Sequence, residues 1–208
     1  MFSKSTGKLL MGLTLAVLLI LAGCGKRTGP QSSWKAPTPS EFQTASEWGA
    51  QQEEDPGKWW TVCESGPCQV SPDWRGGPKI HVATPLAITA MSAYVSSELD
   101  EETLADVRAQ FSNELIISLI FEGTIWDLDT AYEAVITQGD LVIHPFQSSL
   151  DYNMEVWEMG VAITLECRLK IKDLVPDKPF WFSATQAVGS QRFEFKIDPE
   201  TLGTEEFF

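Results

Sequence analysis

The chain has 208 residues, of which 29 are acidic and 15 are basic, and its formal net charge is −14. A surface this acidic repels the phosphates of DNA and RNA, so nucleic-acid binding is excluded as its activity. The length is sufficient for one domain with its own hydrophobic core.

The N-terminal segment has the composition of an export signal. Lys4 and Lys8 precede an almost wholly apolar run from Leu9 to Ala22. This run is shorter than the roughly 20 residues that span a bilayer. A basic start, a short apolar middle and small residues at the end are typical of a secretory signal peptide.

The end of this segment, Leu21-Ala22-Gly23-Cys24, resembles the lipobox of bacterial lipoproteins. The resemblance implies cleavage between Gly23 and Cys24 and attachment of a diacylglyceryl group to the Cys24 thiol. Two or three acyl chains, palmitate among them, hold a protein firmly on a membrane. We therefore predict a signal peptide over residues 1–23 and a lipid-anchored protein of the cell envelope. The alternatives are an ordinary signal peptide with an incidental cysteine, or an uncleaved anchor helix.

The residue after the cysteine bears on location. In Gram-negative lipoproteins, a non-acidic residue such as Gly25 resembles the pattern for release to the outer membrane. The resemblance therefore implies an outer-membrane protein that faces the periplasm or the cell surface. Removal of residues 1–23 takes away two lysines and no acid, so the remaining net charge is −16.

Residues 24–78 are rich in Pro, Ser, Gln and Trp, which predicts a lipidated tether with little structure. A flexible coil of about 50 residues has a root-mean-square length of roughly 35–40 Å. Within it, Cys63 and Cys68 flank a Gly-Pro turn. In an oxidising compartment this spacing predicts a local disulfide, worth about 2 kcal/mol by the chain-entropy estimate.

Five of the eight tryptophans also lie in this segment. Trp favours interfaces because it buries a large area and carries one hydrogen-bond donor. We interpret Trp59, Trp60 and Trp74 as candidate partner-binding residues. The alternative is that the segment wraps the domain and packs its own rings onto it.

Residues 79–208 predict an all-β sandwich. The clearest strand is Val161–Lys172, where every odd position up to 171 is apolar or Cys and the even positions are mainly polar. Arg192–Ile197 repeats the alternation, and Glu114–Glu122 is apolar on both faces, as in a central strand. Weaker strands are predicted at Ala87–Ser96, Ala131–Thr137, Leu141–Phe146 and Pro179–Ala184.

One short helix is predicted over Glu101–Phe111, with Asp100 as its N-cap and two acidic residues in its first turn. The layout of residues 113–197 resembles the immunoglobulin-like domains of bacterial envelope lipoproteins. We therefore expect an immunoglobulin-like antiparallel β-sandwich with one short helix, preceded by the lipidated tether.

Catalytic candidates are few. His81 and His144 are the two histidines, and no Gly-x-Ser-x-Gly elbow occurs. Cys167 lies on the apolar face of its strand, which favours a buried, inert thiol. The sequence therefore predicts no catalytic residue, no metal site and no cofactor.

These features favour a non-enzymatic lipoprotein that docks a partner within an envelope protein complex, as a structural, accessory or assembly component. A glycan- or small-ligand-binding module is the first alternative, and it requires exposed coplanar rings in a concavity. A cryptic hydrolase is the second, and it requires a histidine within hydrogen-bond reach of a Ser, Asp or Glu.

Overall fold

Two antiparallel sheets form the framework of the molecule. The computed structural model describes residues 33–63, 77–96, 99–123, 130–157 and 160–203, with the backbone alone at 152–157 and 160. Within these ranges the strands are β1 (Thr61–Cys63), β2 (Lys79–Ala83), β3 (Glu114–Gly123), β4 (Tyr132–Gln138), β5 (Leu141–Ile143), β6 (Gln147–Trp157), β7 (Gly160–Lys170), β8 (Phe180–Gln186) and β9 (Arg192–Ile197).

The first sheet has the order β1-β2-β3-β7-β6, and the second has the order β5-β4-β8-β9. Each sheet turns one apolar face into a shared core, because alternate residues of a strand point to opposite faces. Leu165, Cys167 and Leu169 of β7 supply one side of this core, and Phe180 and Phe182 of β8 supply the other. This arrangement agrees with the predicted β-sandwich.

Three α-helices belong to the described residues: α1 (Pro39–Ala50), α2 (Pro85–Ser96) and α3 (Glu101–Phe111). The same described residues include two short 3-10 helices, at Pro56–Trp60 and Ile171–Asp173. The prediction of a single helix is therefore too low.

Helix α3 confirms its prediction at both ends. The Asp100 carboxylate accepts a hydrogen bond from the Thr103 backbone N–H at 2.7 Å, which is the expected N-cap contact. Leu104 is its buried residue.

Helix α2 replaces the strand predicted at Ala87–Ser96, and that prediction is wrong. The Thr84 hydroxyl accepts a hydrogen bond from the Ala87 N–H at 3.0 Å, and Pro85 occupies the first helical position. Proline is favoured there because its missing N–H would have no partner in the helix. The apolar run thus forms a mostly buried helix, whose alanines allow close packing.

The predicted tether is wrong for residues 33–63, which are folded onto the domain. Helix α1 begins with a capping box, in which Thr38 and Glu41 bond each other's backbone N–H. Phe42 and Ala45 are buried, and Gly49 meets the backbone of Ala90 in α2 so closely that a Cβ would lie 2.1 Å from the Ala90 oxygen. The small residue at 49 therefore allows the two helices to pack.

The strongest strand predictions are confirmed with shifted ends. Strand β7 stops at Lys170, since the backbone turns into the 3-10 helix at Ile171. Strand β5 is shorter than predicted and ends at Ile143. Strands β1, β2 and β6 were not predicted, and β6 begins at Gln147, after the end of β5 at Ile143.

No described helix has the length and apolar character needed to cross a membrane. All described residues belong to one unit, which extends from Gly29 to Thr204.

Candidate functional site

The outward face of the second sheet carries a row of exposed residues at one end. In the strand register Thr137 is opposite both Val142 and Trp181, and Trp181 is in turn opposite Lys196. All four point away from the core, because the neighbours of Trp181 and Lys196 along β8 and β9 are buried. We call Val142, Thr137, Trp181 and Lys196 the outer row.

The apolar members of this row are unusually accessible. Val142 is 62% exposed and Trp181 is 50% exposed, and Leu141 at the start of β5 is 46% exposed. The Gly139-Asp140 turn places β5 beside β4, and Gly139 adopts the positive φ of 60° that such two-residue turns require. Val142 and Trp181 therefore expose large apolar side chains on the outward face, whereas Leu141 is opposite the buried Gln138 and belongs to the other face of β5.

A buried amide holds the loop that precedes β8 at this same end. The Gln138 side chain donates to the carbonyl oxygens of Val175 and Lys178 at 3.0 and 2.8 Å. Its own oxygen accepts from the Val175 N–H at 2.6 Å. Gln138 is 4% exposed, so these bonds satisfy a polar group that would otherwise be costly to bury.

The N-terminal part of the described chain is fastened to this loop. The Trp34 indole N–H donates to the Lys178 carbonyl at 2.7 Å, and its ring packs on Phe180 with centroids 5.1 Å apart. The Ser33 hydroxyl donates to the Asp177 carboxylate at 2.7 Å. Trp34 is 1% exposed. The chain therefore enters the domain beside the outer row.

The structure corrects the predicted tryptophan site. Trp60 is fully buried and cannot meet a partner, so its assignment as a binding residue is wrong. Trp59 is half-buried and lies in a cluster, 4.6 Å from the Trp48 ring and 6.4 Å from Trp60 between centroids. Trp74 lies outside the described residues. The alternative interpretation, that this segment packs its rings onto the domain, fits Trp34, Trp48 and Trp60.

The cysteines differ in what the structure describes. Cys24, Gly23 before it, and Cys68 lie outside the described residues, whereas Cys63 is the last residue of β1. The Cys63–Cys68 disulfide therefore stays a prediction. Cys167 is free and buried, as predicted, and burial raises its pKa to about 11.

His81 lies on the outward face of the first sheet, opposite Thr61 on one side and Ser118 on the other. Its Nε2 atom is buried and has no hydrogen-bond partner within the part of the chain that the structure describes. Burial lowers the pKa of His81, and the nearby Asp55 carboxylate opposes this only in part. His144 is exposed just after β5.

A cavity of about 280 Å³ opens beside the attachment of Ser33 and extends to α1. Its charged lining consists of one lysine and three carboxylates: Lys35, Glu41, Asp177 and Glu200. No aromatic ring lines this cavity, whereas the glycan-binding alternative requires one. Among the described residues, no group of three or more His, Cys, Asp or Glu side chains is placed to hold a metal ion.

The remaining candidate is the free edge of β6. This strand ends its sheet, so β7 pairs with one edge and no described strand pairs with the other. The pairing with β7 is regular from Gln147 to Asn153, and the register shifts between Asn153 and Trp157. The edge thus offers a regular stretch to which another strand could be added.

Comparisons with protein families, curated proteins and solved structures found no match to this chain.

Proposed function

We propose that this protein is a non-enzymatic lipoprotein of the cell envelope that docks a partner protein, as a structural, accessory or assembly component. In this proposal residues 1–23 are a signal peptide, and Cys24 carries the diacylglyceryl and palmitoyl chains. The anchor holds the domain on the outer membrane. The Cys63–Cys68 disulfide belongs to the same proposal, because an exported protein enters an oxidising compartment.

We also propose that the domain is immunoglobulin-like. Support comes from the strand order. The series β2-β3-β7-β6 matches the order A-B-E-D of an immunoglobulin sheet, and β5-β4-β8-β9 matches C′-C-F-G. In this correspondence β1, α2 and α3 are additions around the first two strands.

The free edge of β6 is the observation that carries the docking proposal. An unpaired edge exposes a row of backbone N–H and C=O groups that can template another strand. Proteins use such edges to bind extended segments of a partner by β-augmentation. The exposed side chains at Ser148 and Ser149 are small, so they leave the backbone of the edge open to an incoming strand.

The contacts of His81 do not favour the hydrolase alternative. A hydrolase needs a base that is hydrogen-bonded to a nucleophile or to an orienting carboxylate. The buried Nε2 atom of His81 makes no such hydrogen bond to the described residues. Ser118 is its neighbour in the register, and the pair is not joined by a hydrogen bond from that nitrogen.

A pair of proline variants tests the docking edge. In an antiparallel strand, the N–H groups of successive residues point alternately to the two neighbouring strands. Of Ser148→Pro and Ser149→Pro, one therefore removes a bond to β7 and lowers the Tm, whereas the other removes a donor from the free edge alone. Thermal unfolding of each variant identifies the second one.

The two variants and the wild-type lipoprotein are then captured from native membranes, and co-purifying proteins are quantified. We expect a stoichiometric partner with wild type and its loss with the proline variant whose Tm is unchanged. Retention of the partner by that variant would contradict docking at β6. A wild-type preparation without any stoichiometric partner would contradict the docking function itself.

A further inference from the structure

We propose that the outer row of the second sheet lies against the phospholipid bilayer. This inference rests on the proposed function, since it takes Cys24 as the lipid-bearing residue. It assigns a membrane-facing surface to the domain, with Trp181 and Val142 in the headgroup region.

The segment between the proposed anchor at Cys24 and the first buried residue of the domain, Trp34, is short. Trp34 is ten positions after Cys24, and such a segment spans at most about 36 Å in any conformation. A domain of about 170 residues is roughly 40 Å across. The point at which Trp34 is fastened therefore stays within one domain diameter of the membrane.

The site at which Trp34 bonds the domain is close to the outer row. Trp34 is bonded to the Lys178 carbonyl, and Trp181 follows three residues later, so the two are at most about 11 Å apart along the chain. Gln138, which bonds the same carbonyl, is adjacent to Thr137 of the outer row. The outer row therefore lies close to the segment that leads to the anchor, as does the cavity lined by Ser33 and Lys35.

The chemistry of the surface fits a bilayer interface. Trp prefers the boundary between headgroups and acyl chains, where its ring is buried and its N–H stays hydrated. Val142, on the same face, adds exposed apolar area. Lys196, at the end of the row, and Lys178 are exposed, and long lysine side chains can extend their charge to the lipid phosphates.

Val188, an exposed residue just after the opposite end of β8, provides a matched control. Val188 is 86% exposed and follows the far end of β8, about 20 Å from Trp181. It is more accessible than Trp181, and it lies away from the attachment of Trp34. Exposure alone therefore predicts similar labelling at the two positions, whereas a membrane-facing end predicts labelling at Trp181 alone.

The experiment places the photo-crosslinker benzoylphenylalanine at Trp181 or, as the control, at Val188 of the full-length lipoprotein. The protein is irradiated in intact cells and in vesicles of phosphatidylethanolamine and phosphatidylglycerol. Adducts are separated into lipid and protein classes by mass spectrometry. In the same samples, the N-terminal peptide is analysed for acyl chains on Cys24.

We expect phospholipid adducts at position 181 in both settings, and none above background at position 188. A protein adduct at 181 in cells would overturn the bilayer assignment in favour of a partner protein. Equal lipid labelling at 181 and 188, or none at 181, would overturn it as well. If one of these contrary results is obtained and Cys24 is acylated, the surface assignment is refuted and the lipid anchor is not. An unacylated Cys24 refutes the lipid anchor itself.

Discussion

Truncation of Trp34 tests whether the N-terminal segment is part of the fold. Its ring is 1% exposed and packs on Phe180, so Trp34→Ala leaves a large cavity. Truncations of this kind cost about 3–5 kcal/mol. The lost hydrogen bond contributes about 1 kcal/mol of that effect at most, because the Lys178 carbonyl still accepts from Gln138. For a domain of this size, the change lowers the Tm by about 6–20 °C.

The assay is thermal and urea unfolding of the detergent-solubilised protein, followed by circular dichroism. Lys35→Ala is the control. Lys35 is the next residue in the chain and its side chain is exposed, so its truncation should leave the Tm within about 2 °C of the wild-type value. Trp34→Phe keeps an aromatic ring, so its Tm should lie between those of Trp34→Ala and Lys35→Ala. A Trp34→Ala variant as stable as wild type would refute the packing of this segment on the domain. It would favour the original prediction of a tether with little structure.

Three further predictions concern single groups. Gly49→Ala should destabilise the protein by about 1–3 kcal/mol in urea unfolding, since overpacking against Ala90 outweighs the gain of about 1 kcal/mol in helix propensity; a stabilised variant would contradict the close helix contact. Because the folded-state pKa of His81 is lowered, the unfolded chain binds more protons between that pKa and about 6.5. The free energy of unfolding should therefore fall as the pH drops through this window, and His81→Gln should remove that part of the dependence. With a pKa of about 11, Cys167 should resist iodoacetamide at pH 8 in the folded protein and react after unfolding, as measured by peptide mass spectrometry.

Local periodicity was sufficient to predict much of the sheet framework. Strands β7 and β9 alternate apolar and polar residues, and the alternation assigns both the strand and its buried face. The N-terminus of α3 could also be predicted from the sequence, because Asp100 followed by two glutamates is typical of a helix start. Where alternation or a capping pattern was clear, the local sequence therefore predicted the element correctly.

The helices that depend on tertiary packing were missed. Helix α1 lies in a segment whose Pro, Ser and Gln content is typical of a linker, although Thr38 and Glu41 have the spacing of a capping box. Helix α2 is apolar almost all round, so it shows no helical stripe and was predicted as a strand. Its stability comes in part from burial against α1, which no local pattern reveals.

The exposure of individual tryptophans could not be predicted from their positions in the sequence. Trp60 is in the core, whereas Trp181 is half exposed. The difference arises from strand register, because Trp181 alternates with Phe180 and Phe182 and so points outward. The proximity of Trp34 to this row also requires a contact across more than 140 residues of sequence.

The most direct test of the whole account is metabolic labelling with an alkynyl palmitate analogue, comparing wild type with Cys24→Ser. We predict a labelled wild-type protein that begins at Cys24, and an unlabelled variant. Label retained on Cys24→Ser, or a wild-type chain that keeps residues 1–23 and carries no acyl group, would contradict the lipid anchor on which both proposals depend.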